Sequence, residues 1–268
     1  LSLISIDNAY VIVDDGTRGI YSIASGGLVF NHPCPSSFAQ FSRTVADRLY
    51  CHANGEASVR QYHLGSAPAI VDDGNIWTSP GAVGVGDGNT NFIQDDDWIA
   101  FETSDGSILY AVNLANPSEV ASLDLTTLSP VIGGTIIGGE RDYIMGPILD
   151  SATGRRYITI AVDGSLQTYK SARQFYFESG SSTIVYAGLG PPLTETQAAS
   201  NAQSCSTVTA TVGGQCVLGG HATMVRAGGK PFFVTGYDSD GNGGAAYTPF
   251  TTAFGFSAGV NGMSVANV

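Results

Sequence analysis

The sequence predicts an all-β fold of many short antiparallel strands joined by Asp-Gly hairpins. We expect either a β-sandwich or jelly-roll type or a β-propeller-like arrangement, with one or two short helices. The first observation is a set of six Asp-Gly pairs, which begin at Asp15, Asp73, Asp87, Asp105, Asp163 and Asp240. A two-residue hairpin turn needs positive φ angles, which glycine adopts freely and aspartate tolerates. We therefore assign hairpins to the pairs at 15, 73, 105 and 163, whose flanks are rich in strand-forming residues.

The second observation is a succession of strand-like runs separated by turn signals, which is typical of sandwiches and closed sheets. These runs cover residues 3–13, 19–30, 57–64, 98–103, 108–114, 157–162, 166–169, 175–177, 183–187, 207–212, 223–226 and 232–237. Residues 98–125 read as strand, Asp-Gly turn, strand and Asn-Leu-Ala-Asn-Pro, as one propeller blade often does. Val-Asp-Asp-Gly occurs at 13–16 and again 58 residues later at 71–74, which indicates either a repeat or a coincidence.

Helical spacing occurs in one stretch, where Phe38, Phe41, Val45 and Leu49 recur every three or four residues after serines that would cap a helix. Residues 191–204 are interpreted as a short helix or a linker. Glycine-rich stretches at 81–88, 133–139 and 241–244 indicate surface loops. We expect a single domain over residues 1–268. The alternative is two β domains, 1–132 and 140–268, with a glycine-rich junction.

Composition narrows the class of protein. The chain is 43% hydrophobic and 13% charged, with a formal charge of −12, which describes a compact and acidic protein. Binding to nucleic acid is disfavoured because it needs a cationic face, and membrane insertion is not expected because no apolar run approaches about 18 to 20 residues. The chain opens at Leu1 without Met, so we expect a removed secretory signal and an extracellular location.

The four cysteines fit two disulfides in an oxidising compartment, since their spacing matches no zinc or redox motif. Cys205 and Cys216 flank a strand and a Gly-Gly turn, so we predict this hairpin-closing bridge first. A bridge between Cys34 and Cys51 requires the intervening chain to double back. A straight helix of about 12 residues between them would span roughly 18 Å, and bridged Cα atoms lie within about 7 Å.

A sugar site is predicted around residues 95–102. Asp97 and Glu102 supply carboxylates for hydroxyl groups or acid/base work, and Trp98 and Trp77 supply indole faces for stacking. Strand alternation places Ala100 and Glu102 on the face of Trp98, and Asp97, Ile99 and Phe101 on the other. The alternative is a charged turn that leads into a half-buried strand with Trp98 in the core.

A calcium site is predicted at residues 238–243. Asp238, Asp240 and Asn242 are alternate oxygen ligands, and a glycine stands at the sixth position. Position twelve of an EF-hand loop would be Pro249, so other ligands have to complete this site. The alternative is a solvated turn. Apart from calcium, no cofactor is expected.

Three classes of function fit these observations. The first is a secreted carbohydrate-binding or carbohydrate-processing β protein, whose partner is a glycan. The second is a structural extracellular protein that assembles with copies of itself, as a wall, coat or fibre subunit does, without catalysis. The third is a hydrolase whose site is assembled in space rather than along the sequence. The sequence leaves open whether the chain is an enzyme.

Overall fold

The chain folds into antiparallel β-sheets. The structure, a computed structural model, describes residues 2–6, 9–14, 19–31, 33–34, 38–52, 55–86, 93, 95–128, 142–162, 171–189, 222–227, 230–238, 247–256 and 263–266. Within these ranges there are five four-stranded sheets and two single-turn 3₁₀ helices, at Pro80–Ala82 and Leu125–Thr127. The all-β prediction is confirmed. None of the described helices is long and apolar enough to cross a bilayer.

Each sheet is built from four consecutive strands. Sheet 1 contains β1 (Ser2–Ile6), β2 (Tyr10–Asp14), β3 (Gly19–Ser22) and β4 (Leu28–Asn31). Sheet 2 contains β5 (Phe38–Phe41), β6 (Arg48–His52), β7 (Ser58–Leu64) and β8 (Ile70–Thr78). Sheet 3 contains β9 (Val85–Gly86), β10 (Trp98–Thr103), β11 (Ile108–Asn113) and β12 (Val120–Asp124). Sheet 4 contains β13 (Asp142–Asp150), β14 (Arg155–Val162), β15 (Ser171–Glu178) and β16 (Val185–Leu189). Sheet 5 contains β17 (Ala222–Ala227), β18 (Lys230–Asp238), β19 (Tyr247–Phe256) and β20 (Met263–Ala266).

Successive sheets pack against one another in chain order. β1 lies against β5, β10 against β13, and β13 against β17. Consecutive four-stranded antiparallel meanders that pack on one another in chain order are the building plan of propeller blades, whereas a sandwich has two sheets. The architecture therefore corresponds to the propeller-like alternative.

The described core consists of three apolar layers, one between each pair of neighbours among sheets 1 to 4. Ile12 and Phe30 of sheet 1 meet Leu49 of sheet 2 in the first layer. The second layer joins sheets 2 and 3, and the third joins sheets 3 and 4. Along β10, Trp98 and Ala100 belong to the third layer, and Ile99 and Phe101 belong to the second. This confirms the alternation predicted for these four residues.

An Asx-Gly pair stands between the second and third strands of every sheet. The five pairs begin at Asp15, Asn54, Asp105, Asp163 and Asp240. The turn at Asp105 connects β10 to β11, and Gly106 has a φ of 70°, as predicted for a hairpin glycine. Asp15 and Asp163 lie outside the described residues, in segments that connect paired antiparallel strands.

The hairpin predicted at Asp73 is wrong. Asp73 lies inside β8, at a register shift where Gln61 pairs with Gly74 and Tyr62 pairs with Asp72. Gly74 has a φ of 84°, so the Asp-Gly pair forms a β-bulge, which needs the same positive φ as a turn. Val13 and Asp14 of the first Val-Asp-Asp-Gly end β2, whereas the second lies at the register shift within β8, so its repetition does not mark equivalent positions.

The helix predicted over residues 38–49 is also wrong. Phe38–Phe41 forms β5, Arg48–His52 begins β6, and Phe41 pairs directly with Leu49. The spacing of three and four residues arises because a turn separates two apolar strands, and Asp47 has a φ of 59° in that turn. Val45, which a helix would bury, is exposed.

The same hairpin brings Cys51 back to Cys34, and the two form a disulfide with their Cα atoms 5.6 Å apart. The chain doubles back as the bridge requires, because two strands and a turn replace a helix. Both cysteines are buried in the layer between sheets 1 and 2. Cys205 and Cys216 lie outside the described residues, so the bridge predicted first stays a prediction.

Candidate functional site

The structure distributes the residues predicted to bind sugar over two sides of sheet 3. Trp98 is buried between sheets 3 and 4, with its ring 4.9 Å from that of Phe177. Trp77 is buried between sheets 2 and 3, where it stacks on Phe101 at 5.7 Å and an interplanar angle of 7°. The two indoles therefore do not share one surface, and their role in binding sugar stays a prediction.

Asp97 is fully buried and tied to sheet 2. One of its oxygens, Oδ2, accepts hydrogen bonds from the hydroxyls of Ser42 (2.6 Å), Thr44 and Tyr50 (3.2 Å). The other, Oδ1, accepts from the backbone N–H of Arg43 at 2.6 Å. Burial, together with the charge of Asp97, raises the pKa of Tyr50 to about 12, so this hydroxyl remains a donor.

The other two acids of the run face sheet 4. Asp95 is buried, and its Oδ2 accepts a hydrogen bond from the backbone N–H of Leu149 at 2.9 Å. Asp96 has a φ of 52° and pairs with the guanidinium of Arg156 at 2.6 Å. Its side chain is 44% exposed. Three consecutive carboxylates thus join sheet 3 to both of its neighbours.

Glu102 is the remaining carboxylate of the predicted site. It is buried in β10, where it pairs with Leu109 of β11 and with Gly86 of β9. Trp98 and Glu102 stand at opposite ends of that strand. The contribution of Glu102 to a sugar site stays a prediction.

A polar surface adjoins Trp98, where β10 begins, β11 ends and β14 begins. The guanidinium carbon of Arg156 lies 5.2 Å from the centre of the Trp98 ring, and Asn113 pairs directly with Trp98 across the sheet. We call this surface the Trp98 rim, which consists of Asp96, Trp98, Asn113, Asn116, Glu119 and Arg156.

Glu119 is the hydrogen-bonding centre of the Trp98 rim. Its Oε2 accepts from the side-chain amide of Asn113 at 2.9 Å, and its Oε1 accepts from that of Asn116 at 2.8 Å. These two bonds lower the pKa of Glu119, and the charge of Arg156 adds to the effect. The carboxylate is therefore ionised near neutral pH and acts as an acceptor.

Sequence reasoning missed four residues of this surface, Asn113, Asn116, Glu119 and Arg156. The Asn-Leu-Ala-Asn-Pro segment is visible in the sequence as a turn, and an Asn side chain two or three residues from another polar group is a usual turn device. No sequence signal places Arg156 there, because it lies 60 residues from Asp96 along the chain.

The predicted calcium ligands are mostly outside the described residues. Asp238 ends β18, and Asp240 and Asn242 belong to the segment that follows. The calcium site stays a prediction. Elsewhere in the described ranges, no three His, Cys, Asp or Glu side chains are grouped so that they would hold a metal ion.

No known family model matches the chain, and no curated protein matches it. Several solved structures are similar in backbone path. Hsv2 from Kluyveromyces lactis has a TM-score of 0.48 and 10% identity over 99% of this chain and 72% of its own. An exo-β-1,3-galactanase from Phanerochaete chrysosporium with galactose has a TM-score of 0.44 and 7% identity, over 99% of this chain and 62% of its own. An α-L-arabinanase from Cellvibrio cellulosa with arabinohexaose has a TM-score of 0.35 and 13% identity, over 99% of this chain and 94% of its own. At such scores a likeness carries neither family nor function to this chain.

Proposed function

We propose that the chain is a secreted carbohydrate-binding β protein and that the Trp98 rim holds the sugar. The observation that carries this proposal is an array of planar hydrogen-bonding groups on one surface, in which Asn116 and Glu119 are exposed, Asp96 is 44% exposed and Arg156 is 12% exposed. Carboxylates, amides and a guanidinium are set there by bonds to one another.

The chemistry of this array suits sugar hydroxyls, which donate and accept hydrogen bonds at once. The carboxylates of Asp96 and Glu119 accept, and the amides of Asn113 and Asn116 both donate and accept. Each carboxylate oxygen can accept more than one hydrogen bond, so the bonds within the Trp98 rim leave acceptor capacity for a ligand. The contacts among these groups fix their positions before a ligand arrives, which reduces the entropic cost of binding.

Binding is better supported at this surface than hydrolysis. A glycosidase needs one carboxyl group that stays protonated, with a raised pKa, so that it can protonate the leaving oxygen. The pKa of Glu119 is lowered by its hydrogen bonds to Asn113 and Asn116. Such a group is a hydrogen-bond acceptor for a sugar rather than a general acid.

Charge and redox chemistry refine the ligand and the location. A formal charge of −12 repels polyanions, so we expect a neutral glycan rather than a sulfated or uronate-rich one. The buried Cys34–Cys51 disulfide supports an oxidising compartment and hence secretion.

The exposed edge of sheet 2 gives little support to the alternative, self-assembly. β8 is an edge strand that carries Asp72 and Asp73, and a bulge interrupts its pairing with β7. Charges and bulges on an edge strand hinder pairing with another chain. We therefore place carbohydrate binding first.

The experiment is a titration of the protein against neutral oligosaccharides chosen from a glycan array, by calorimetry, with wild type and variants. Asp96→Asn combined with Glu119→Gln removes both acceptor charges of the Trp98 rim. We expect affinity to fall by about tenfold or more, since hydrogen bonds to charged groups contribute roughly 1.5–3 kcal/mol.

The matched control is Glu178→Gln. Glu178 is a surface carboxylate like Asp96 and Glu119, but it belongs to sheet 4 and lies outside the Trp98 rim; it is 64% exposed and pairs with Arg155 at 3.3 Å. Affinity should be unchanged in this variant. An equal loss in both variants, or no binding to any neutral glycan, would overturn the proposal. Release of reducing sugar in the same samples would show that the protein processes its ligand.

A further inference from the structure

The bond between an aspartate and a following glycine can rearrange through a succinimide. The glycine backbone nitrogen attacks the carbonyl carbon of the aspartate side chain, and this is unhindered because glycine has no Cβ. The amide proton and the carboxyl hydroxyl leave as water, and a five-membered succinimide forms. Water then opens that ring at either carbonyl. One opening restores aspartate, and the other gives isoaspartate, which has the same atoms but a backbone longer by one carbon.

The turn at Asp105 immobilises both reacting groups. Asp105 Oδ1 accepts hydrogen bonds from Thr103 Oγ1 (2.7 Å), Ser107 Oγ (2.7 Å) and the Ser107 backbone N–H (3.0 Å). The nucleophile is engaged as well, because the Gly106 N–H donates to the carbonyl oxygen of Thr103 at 2.7 Å. Attack requires the side chain to leave three donors and the N–H to leave its acceptor.

We propose that Asp105-Gly106 is a latent isomerisation site, which Thr103 and Ser107 keep closed while the chain is folded. Unfolding opens the site, and the loss of these two hydroxyls opens it partly. The covalent product is isoaspartate at position 105.

Protonation adds to this protection. Water leaves readily only from the protonated carboxyl group, and hydrogen bonds from Thr103 and then Ser107 lower the pKa of Asp105 from 3.8 to about 2. At pH 5 this lowers the protonated, reactive fraction by roughly tenfold or more.

The bulge at Asp73 provides an internal comparison, because different residues hold it. Asp73 faces Gln61 Nε2 and His63 Nδ1, each at 2.8 Å, and the Gly74 N–H donates to Asp72 at 2.8 Å. Neither Thr103 nor Ser107 takes part. Isomerisation at Asp73 therefore reports on the bulge in β8, and isomerisation at Asp105 reports on its own turn.

The first experiment incubates the full chain at pH 5 and 37 °C, folded in buffer or unfolded in urea, and follows isoaspartate at each Asp-Gly bond by peptide mapping with mass spectrometry. At Asp105 we expect the folded rate to be at least about tenfold below the unfolded rate. Equal rates in the two states would overturn the proposal, and this comparison needs no variant.

The second experiment compares the double variant Thr103→Val with Ser107→Ala against Ser181→Ala, a control that removes a serine hydroxyl from another turn. In the folded double variant, isoaspartate should accumulate severalfold faster at Asp105 and at an unchanged rate at Asp73. An unchanged rate at Asp105, or equal acceleration at both sites, would contradict the assignment to Thr103 and Ser107.

Discussion

Asp96 and Asp97 are neighbours in one turn, yet they have opposite surroundings. Asp97 is fully buried, and both of its oxygens accept hydrogen bonds from the β5–β6 turn of sheet 2. Asp96 is partly exposed and pairs with Arg156 of sheet 4. The difference shows that a run of acids is not one site, because each carboxylate takes its function from the sheet that it faces.

The difference has an energetic reason. A buried carboxylate is tolerated only when donors replace its lost water, and Asp97 has four of them. A carboxylate at the surface keeps its water and gains little from an ion pair. Asp97 is therefore expected to stabilise the contact between sheets 2 and 3, and Asp96 remains available to a ligand.

The largest expected effect follows from replacing Asp97 by Asn. The asparagine side chain would place its N–H₂ group against the donors that now bond to the Asp97 carboxylate. The free energy of unfolding should therefore fall by about 2 kcal/mol. The matched substitution Asp96→Asn should change it by less than about 1 kcal/mol. Urea unfolding of both variants measures the difference, and equal losses would contradict the contrast between the two acids.

A smaller effect is expected at Asp95, whose Oδ2 accepts a hydrogen bond from the Leu149 N–H. Asp95→Ala leaves this N–H without its acceptor and should lower the free energy of unfolding by about 1 kcal/mol. The same urea experiment should rank Asp95 between Asp97 and Asp96. A loss as large as that of Asp97→Asn would show that Asp95 stabilises the contact between sheets as much as Asp97 does.

The smallest effect concerns pH. The folded pKa of Glu119 is lowered from 4.5, so its stabilising contribution is complete above pH 4.5 and is lost as the pH falls through the lowered value. Asn113→Ala should raise the pKa of Glu119 towards its ordinary value, and Arg156→Gln should raise it less. Carboxyl NMR titration measures both shifts. No change in Asn113→Ala would contradict the hydrogen-bond network of the Trp98 rim.

The fold class was predictable because it depends on local signals. The Asp-Gly pair and its strand-forming flanks identified the hairpin at Asp105, where Gly106 has a positive φ. The same signals failed at Asp73, since a bulge and a turn both need Gly at a positive φ. They also failed over residues 38–49, where only the pairing of Phe41 with Leu49 distinguishes a hairpin from a helix.

The candidate site was less predictable because it depends on distant partners. The sequence identified Asp97 as a candidate carboxylate and Trp98 as a candidate indole for a sugar site. It did not show that Asp97 meets Ser42, 55 residues away, or that Asp96 meets Arg156, 60 residues away. Whether a carboxylate is buried or exposed is decided by such contacts, and no local pattern encodes them.

Double-mutant cycles test the contrast between Asp97 and Asp96 most directly. One cycle combines Asp97→Ala with Ser42→Ala, and the other combines Asp96→Ala with Arg156→Ala, with unfolding free energies measured in urea. We expect a coupling energy above about 1 kcal/mol for the buried pair and below about 0.5 kcal/mol for the rim pair. Equal couplings, or a larger one at the rim, would contradict the assignment of a structural role to Asp97 and a surface role to Asp96.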